Sequence, residues 1–169
     1  KTAYEIPKRD WNSDVCSSDL QDLVRQAVFL QRVGQPQIDF EISAPDEIVH
    51  VQCDGRLVSQ ALTNVLKNAV ESIGTRLNAG DTLPGRIGVK LETIGERLAV
   101  TISDNGVGLP AEHRHRLTEP YVTTRTKGTG LGLAIVRKIM EDHGGELQIA
   151  DRIDETSGEI AGASVRMTL

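Results

Sequence analysis

The stretch from Asp54 to Leu77 constrains the fold most. Val58, Ala61, Leu62, Val65, Leu66, Ala69 and Ile73 recur at helical spacing, and Asp54 stands where an N-cap belongs. The pattern predicts one long helix reaching about Leu77, with an apolar face broad enough to need a partner layer. Beside that face runs a row of polar side chains. Gln60, Asn64 and Asn68 stand four apart, followed by Glu71 and Ser72, and this spacing stacks side chains on one side of a helix. Asparagine is a mediocre helix former and is costly in apolar surroundings without partners. Either the two asparagines bond to neighbouring loops or they face a ligand pocket. An amide oxygen there suits Mg²⁺, which takes few protein ligands and completes its shell with water and phosphate oxygens.

Around this helix the chain alternates in type. Residues 22–33 are apolar at helical period and stop at Gly34 and Pro36. Residues 38–42 and 48–52 alternate as strands, and 86–94 and 97–103 form a hairpin turning at Gly95 and Glu96. A Gly-, Thr- and Pro-rich stretch from Asp104 to Gly128 is long enough for an active-site loop. A helix is expected over 130–142, stopped by Gly144 and Gly145, with strands over 146–149 and 163–169. The elements predict an α+β fold with segregated helices and sheet rather than a regular βαβ array.

With 169 residues, 38% apolar and 25% charged, the chain has the size and balance of one globular domain. A net charge of −5 without a basic cluster argues against a nucleic-acid partner. No apolar run approaches the ~20 residues that span a bilayer, and no secretory leader opens the chain. Two cysteines, Cys16 and Cys53, are too few for a disulfide framework or a metal cage. The expected compartment is the cytoplasm, with no direct membrane contact by this fragment.

Residues 10–20, DWNSDVCSSDL, resemble translated sequencing-library adapter, whose end encodes DWSSDVCSSDL and differs only at Asn12. Residues 1–20 are therefore expected to be a non-native leader and 21–169 the functional domain. Trp11 and Cys16 then carry no functional weight. Without Asp10, Asp14 and Asp19 the net charge falls from −5 to −2.

Two glycine motifs bracket the long loop. DNGVGLP (104–110) follows directly on a strand. Its carboxylate could accept a hydrogen bond from an exocyclic amine such as that of adenine, although an Asp-Asn-Gly turn needs no ligand to exist. Gly106, Gly108 and Ala111 also fit the G-x-G-x-x-A dinucleotide pattern. That reading fails, because about twenty residues on stand Arg125, Thr126 and Lys127 rather than an acid, and no apolar helix follows. GTGLGL (128–133) opens the last helix. Glycines at a helix N-terminus let backbone N–H groups close on phosphate. No Lys-Ser/Thr pair follows, so this is not a Walker A loop. Arg125 and Lys127 stand just upstream, where they could neutralise phosphate charge.

Taken in order, Asn64 and Asn68, DNGVGLP and EPYVTTRTKGTGLGLAIV (119–136) resemble the N, G1, F and G2 boxes of histidine kinases. These belong to the wider ATPase group of gyrase, the Hsp90 chaperones and MutL. The resemblance spans about Asp22 to Leu169. DLVRQAVFLQRVG (22–34), LTNVLKNAVESI (62–73) and LTEPYVTTRTKGTGLGLAIV (117–136) further resemble the nitrogen-regulation kinases of the NtrY/NtrB type. Tyr121 stands where the F box commonly has Phe.

The resemblance implies a two-layer α/β sandwich of the Bergerat type, with a mixed, mainly antiparallel sheet packed on helices and a mobile ATP lid. It implies ATP and Mg²⁺ as cofactors. Asn68 would coordinate the metal and Asn64 would support the phosphates. Asp104 would read the adenine amine, with Gly106 and Gly108 letting the backbone approach the base. Gly128, Thr129, Gly130, Leu131 and Gly132 would line the triphosphate, and Thr123, Thr124, Arg125 and Lys127 would belong to the lid. Hydrolysing relatives place a glutamate four residues before the magnesium asparagine; Asn64 offers no such base, which favours transfer to a positioned nucleophile.

None of His50, His113, His115 and His143 sits in an H-box pattern, and each is expected to be structural or solvated. The phosphoacceptor histidine should then lie on a separate upstream dimerisation domain, and the chain alone should be monomeric and not autophosphorylate. A response regulator is the expected further partner, and the full protein is expected either free in the cytoplasm or anchored in the inner membrane. A gyrase- or MutL-like ATPase, a pseudo-kinase module and a serine kinase of the anti-sigma type are the competing readings.

Overall fold

In the computed structural model, residues 16–47, 50–110, 116–121, 130–154 and 156–169 are described. The long helix is present as α2, Gly55–Asn78. Asp54 caps it, its carboxylate accepting from the N–H groups of Arg56 (2.9 Å) and Leu57 (3.3 Å). The seven apolar positions read from the sequence are all buried. They face two neighbouring helices, α1 (Leu20–Gly34) and α3 (Gly132–Asp142), and the sheet beneath.

Five strands make that sheet: β2 (Ile38–Ser43), β4 (Gly85–Ile94), β5 (Arg97–Asp104), β6 (Glu146–Ile153) and β7 (Ile160–Thr168). Their spatial order is β2-β4-β5-β7-β6, with β2 parallel to β4 and every other pair antiparallel. The fold is the expected α+β two-layer sandwich with a mixed, mainly antiparallel sheet. Ile87, Val89, Leu91, Val100, Ile102, Val165 and Met167 point from the sheet into the core. On the other face Arg166 reaches Glu92 and Thr101, each at 3.2 Å, which keeps that side polar. The β4–β5 hairpin turns at Gly95 with φ +63°, closing on the pair Ile94 and Arg97. These residues are the ones its pattern indicated.

Element ends depart from the sequence reading where tertiary contacts set them. A short strand, β1 (Cys16–Asp19), pairs antiparallel with β3 (His50–Cys53). Residues 48–49, where β3 was expected to start, lie outside the described residues. Asp19 caps α1, so that helix starts at Leu20 rather than Asp22, and Leu20 is fully buried. The end of the adapter-like segment is thus part of the folded body. The last helix begins at Gly132, not Gly130, because Gly130 is left-handed at φ +66°. Strands β6 and β7 extend further toward their shared turn than their apolar residues suggested, with a register irregularity between Asp151 and Ile153.

Candidate nucleotide-binding site

One face of α2 organises the site. Asn64, Asn68 and Ser72 follow one another at four-residue spacing, and each meets a segment distant in sequence. The Asn64 amide donates to the Gly132 carbonyl at 3.5 Å, a long bond. Asn68 lies against the same glycine: a Cβ there would stand 3.8–3.9 Å from its amide atoms. Ser72 accepts the Val107 N–H at 3.1 Å. The helix stripe therefore joins the start of α3 to the loop after β5, and both asparagines are half-buried.

Asp104 ends β5 and is 6% exposed. Burial pushes its carboxyl above the usual carboxylate range. The Gly106 N–H (2.8 Å), the Ala163 N–H, the Ser72 hydroxyl and the charge of Arg152 pull the other way. An acid kept here against that burial needs a purpose beyond packing. The two glycines that follow are required for different reasons. Gly106 leaves room for α2, since a Cβ would come within 2.5 Å of the Ser72 backbone carbon. Gly108 has φ +77°, and a Cβ there would approach the Ile160 side chain at 2.9 Å.

Around them stand supports with little trace in local sequence pattern. The Asn105 side chain accepts from the Arg86 N–H and donates to the Pro84 carbonyl, each at 2.8 Å. Asp151 on β6 accepts from the Leu109 N–H at 3.4 Å. Ser72 was visible in the stripe, but its attachment to the Asp104 loop was not. Asp151 left no signal, because its partner is 42 positions away.

Residues 53–169 match the family described as histidine kinase-, DNA gyrase B- and HSP90-like ATPases. The chain belongs to this ATPase family. It is 50% identical over 161 residues to the nitrogen regulation protein NtrY of Azorhizobium caulinodans, a match covering 92% of this chain and 19% of that protein. The chain thus spans about a fifth of that curated relative. The mycobacterial sensor histidine kinase MprB shares the fold with a TM-score of 0.76 and 27% identity, covering 92% of this chain and 96% of that one. A structure of histidine kinase ThkA in complex with the response regulator TrrA gives a TM-score of 0.70 at 26% identity, covering 92% of this chain and 41% of ThkA.

Within this ATPase fold the expected residues are placed as follows. Asn64, Asn68, Leu131 and Gly132 lie together at the α2–α3 contact. Asp104, Gly106 and Gly108 lie at the end of β5, one helical turn of α2 away through Ser72. Gly130 accepts the Tyr121 N–H at 3.1 Å, and Tyr121 itself has φ +65°. Thr123, Thr124, Arg125, Lys127, Gly128 and Thr129, with the expected lid, lie outside the described residues, as do His113 and His115. His50 is exposed at the start of β3. His143 caps α3: its Nε2 accepts the Asp54 N–H at 3.0 Å and its Nδ1 donates to the Ile139 carbonyl at 2.7 Å. With Nε2 accepting, Nδ1 is the ring's donor.

Among the described residues no group of three or more His, Cys, Asp or Glu could hold a metal ion. Mg²⁺ with ATP asks for less, one amide oxygen beside phosphate. Asn68 fits by its chemistry: its amide lies beside Gly132 at the N-terminus of α3, where a Cβ would stand 3.8–3.9 Å from it.

Proposed function

We propose that this domain binds ATP with Mg²⁺ and donates the γ-phosphate to a histidine on a separate dimerisation and phosphoacceptor domain. One observation carries the reading: a single face of α2 brings an amide pair against the glycine start of α3 and a hydroxyl against the turn that follows a buried acid. Asp104 would accept the amine of adenine, and Gly108 would let the main chain turn close to the base. Asn64 and Asn68 would hold the phosphate side, with Gly128, Thr129, Gly130, Leu131 and Gly132 as the backbone cradle. Thr123, Thr124, Arg125 and Lys127 would cover it. Mg²⁺, when bound, would neutralise phosphate charge beside Asn68. Transfer needs alignment more than covalent chemistry from the protein. No carboxylate stands at position 64 to activate water, which supports transfer over hydrolysis.

The relatives extend the reading. The likeness to NtrY and to a kinase held by its response regulator supports a two-component role, nitrogen-related, with a response regulator as recipient of the phosphoryl group. No helix among the described residues is long and apolar enough to cross a membrane. We place the domain in the cytoplasm, with any inner-membrane anchor elsewhere in the protein. The domain proper is 21–169, and residues 1–20 are a non-native leader ending in adapter-derived peptide. Its last residues supply a strand, a helix cap and a core leucine by coincidence of sequence. Re-reading the source locus tests this: the same codons in genomic DNA would refute an adapter origin.

Titration of the purified domain with a nonhydrolysable ATP analogue and Mg²⁺ tests the function. Binding should be lost or severely weakened in both Asp104→Ala and Asn68→Ala. Unchanged affinity in the two variants would overturn the assignment, and rapid hydrolysis by the isolated domain would favour a gyrase- or MutL-like ATPase.

A further inference from the structure

Ser72 is one of the few buried polar residues of the core, 6% exposed. Packing alone does not account for a hydroxyl there, since alanine would fill nearly the same space without a polar group to satisfy. A serine hydroxyl has one hydrogen to donate and lone pairs to accept with. Here it accepts the Val107 N–H at 3.1 Å, which leaves its hydrogen to favour the ionised form of the Asp104 carboxyl. The approach is tight: a Cβ on Gly106 would lie 2.1 Å from the hydroxyl oxygen, so no water separates helix from loop at this point.

We infer that Ser72 is a positioning residue for nucleobase recognition, its hydroxyl fixing the Asp104 carboxylate and the 106–107 turn together against α2. The inference rests on the reading of Asp104 as the acceptor of the base's amine. To accept, Asp104 must be ionised, and its burial works against that. The Gly106 and Ala163 N–H groups, the Ser72 O–H and the charge of Arg152 oppose the burial. Asp151, on β6 at the Leu109 N–H, adds a negative charge nearby. On α2 itself, Glu71 is exposed; on β4, Arg86 is exposed and offers its backbone to Asn105. Removing the Ser72 hydroxyl takes away one of the few groups that favour the ionised form and leaves the Val107 N–H without its acceptor.

The test is Mg²⁺–ADP binding by calorimetry from pH 5 to 8 for the unaltered protein, Ser72→Ala, Ser72→Cys and Asp104→Ala. Ionisation of ADP is common to all four and cancels in the comparison. Ser72→Ala should weaken ADP binding about tenfold at pH 7, as loss of a hydrogen bond to a charged group implies. The acidic limb of its affinity profile should also move to higher pH. Ser72→Cys, similar in shape but a poor donor, should fall between, and it carries the test if Ser72→Ala does not fold. Unaltered affinity and limb would overturn the inference. So would weaker binding with an unmoved limb, which marks a packing role only. If Asp104→Ala keeps full affinity, the nucleobase reading itself fails and the Ser72 inference with it; loss in Asp104→Ala but not in the serine variants fails the inference alone.

Discussion

Gly106→Ala tests the contact on which the site's geometry depends. Its added Cβ would stand 2.1 Å from Ser72 Oγ, 2.5 Å from the Ser72 carbonyl carbon and 2.7 Å from the Ile73 nitrogen. The hydroxyl could rotate away, but the other two atoms belong to the backbone of a 24-residue helix with its other side buried. Restoring an ordinary ~3.5 Å carbon contact moves the loop away from α2 by about 1 Å. That displacement stretches the Gly106 N–H to Asp104 bond, now 2.8 Å, and the Val107 N–H to Ser72 bond, now 3.1 Å, beyond useful range. Overpacking of this kind costs about 1–3 kcal/mol, and two weakened hydrogen bonds, one to a carboxylate, add about as much again. With partial relaxation we expect a net loss of about 2–4 kcal/mol, which lowers Tm by about 5–15 °C in a domain of this size. A 1 Å error at the acid should also weaken ADP binding by about a hundredfold. Thermal melts and calorimetry read both effects, with Gly88→Ala as control because a Cβ there meets nothing within 4 Å. A Gly106→Ala protein that melts with the control and binds ADP normally would refute the packing argument.

Asp104→Asn should separate stability from binding. Burial raises the folded-state pKa of Asp104 above its ordinary value, so the group's favourable contribution is present below the unfolded value near 3.8 and is lost as pH rises through the raised one. At pH 7 the nucleotide-free Asn variant should therefore be at least as stable as the original while failing to bind ADP. The stability difference should close as pH falls toward 3.8, and melts at several pH values check this. His143→Ala removes the acceptor of the Asp54 N–H and the donor to the Ile139 carbonyl. Urea unfolding should show a loss of about 1–2 kcal/mol; a change within ~0.3 kcal/mol would mean the bridge between α2 and α3 contributes nothing.

What the sequence made legible is what local pattern encodes. The apolar face of α2 and its polar stripe follow from a single periodicity, and the Asp54 cap from one residue type at one place. The β4–β5 turn was readable because Gly95 needs the left-handed conformation its neighbours avoid. The acid, the amides and the glycines were readable as residue types in order along the chain. Their closeness was not, because it depends on α2 lying across β5 and beside α3. The start of α3 was misjudged since glycine permits both helical and left-handed backbone, and only the fold chose the latter for Gly130. Residues 16–20 were set aside for their resemblance to adapter, yet pairing of β1 with β3 and burial of Leu20 need only a short extended segment ending in a capping acid and a leucine. Asp151 and His143 act on main-chain groups 42 and 89 positions away, distances at which no periodicity speaks.

Asn64 shows how the fold and the choice of reaction converge on one side chain. Its amide nitrogen donates to the Gly132 carbonyl, so the residue helps tie α2 to the start of α3. A glutamate in its place, as in the hydrolysing relatives, has no hydrogen to offer when ionised. It would set a negative oxygen toward a carbonyl oxygen, with repulsion where there is now a bond. To serve as a base toward water it would have to swing away and leave that carbonyl to another donor. Amide and carboxylate therefore support different arrangements of the helix pair as well as different chemistry. With the amide, the start of α3 is tied by a group that cannot take a proton from water, which accords with the proposed transfer to a nucleophile brought from outside the domain.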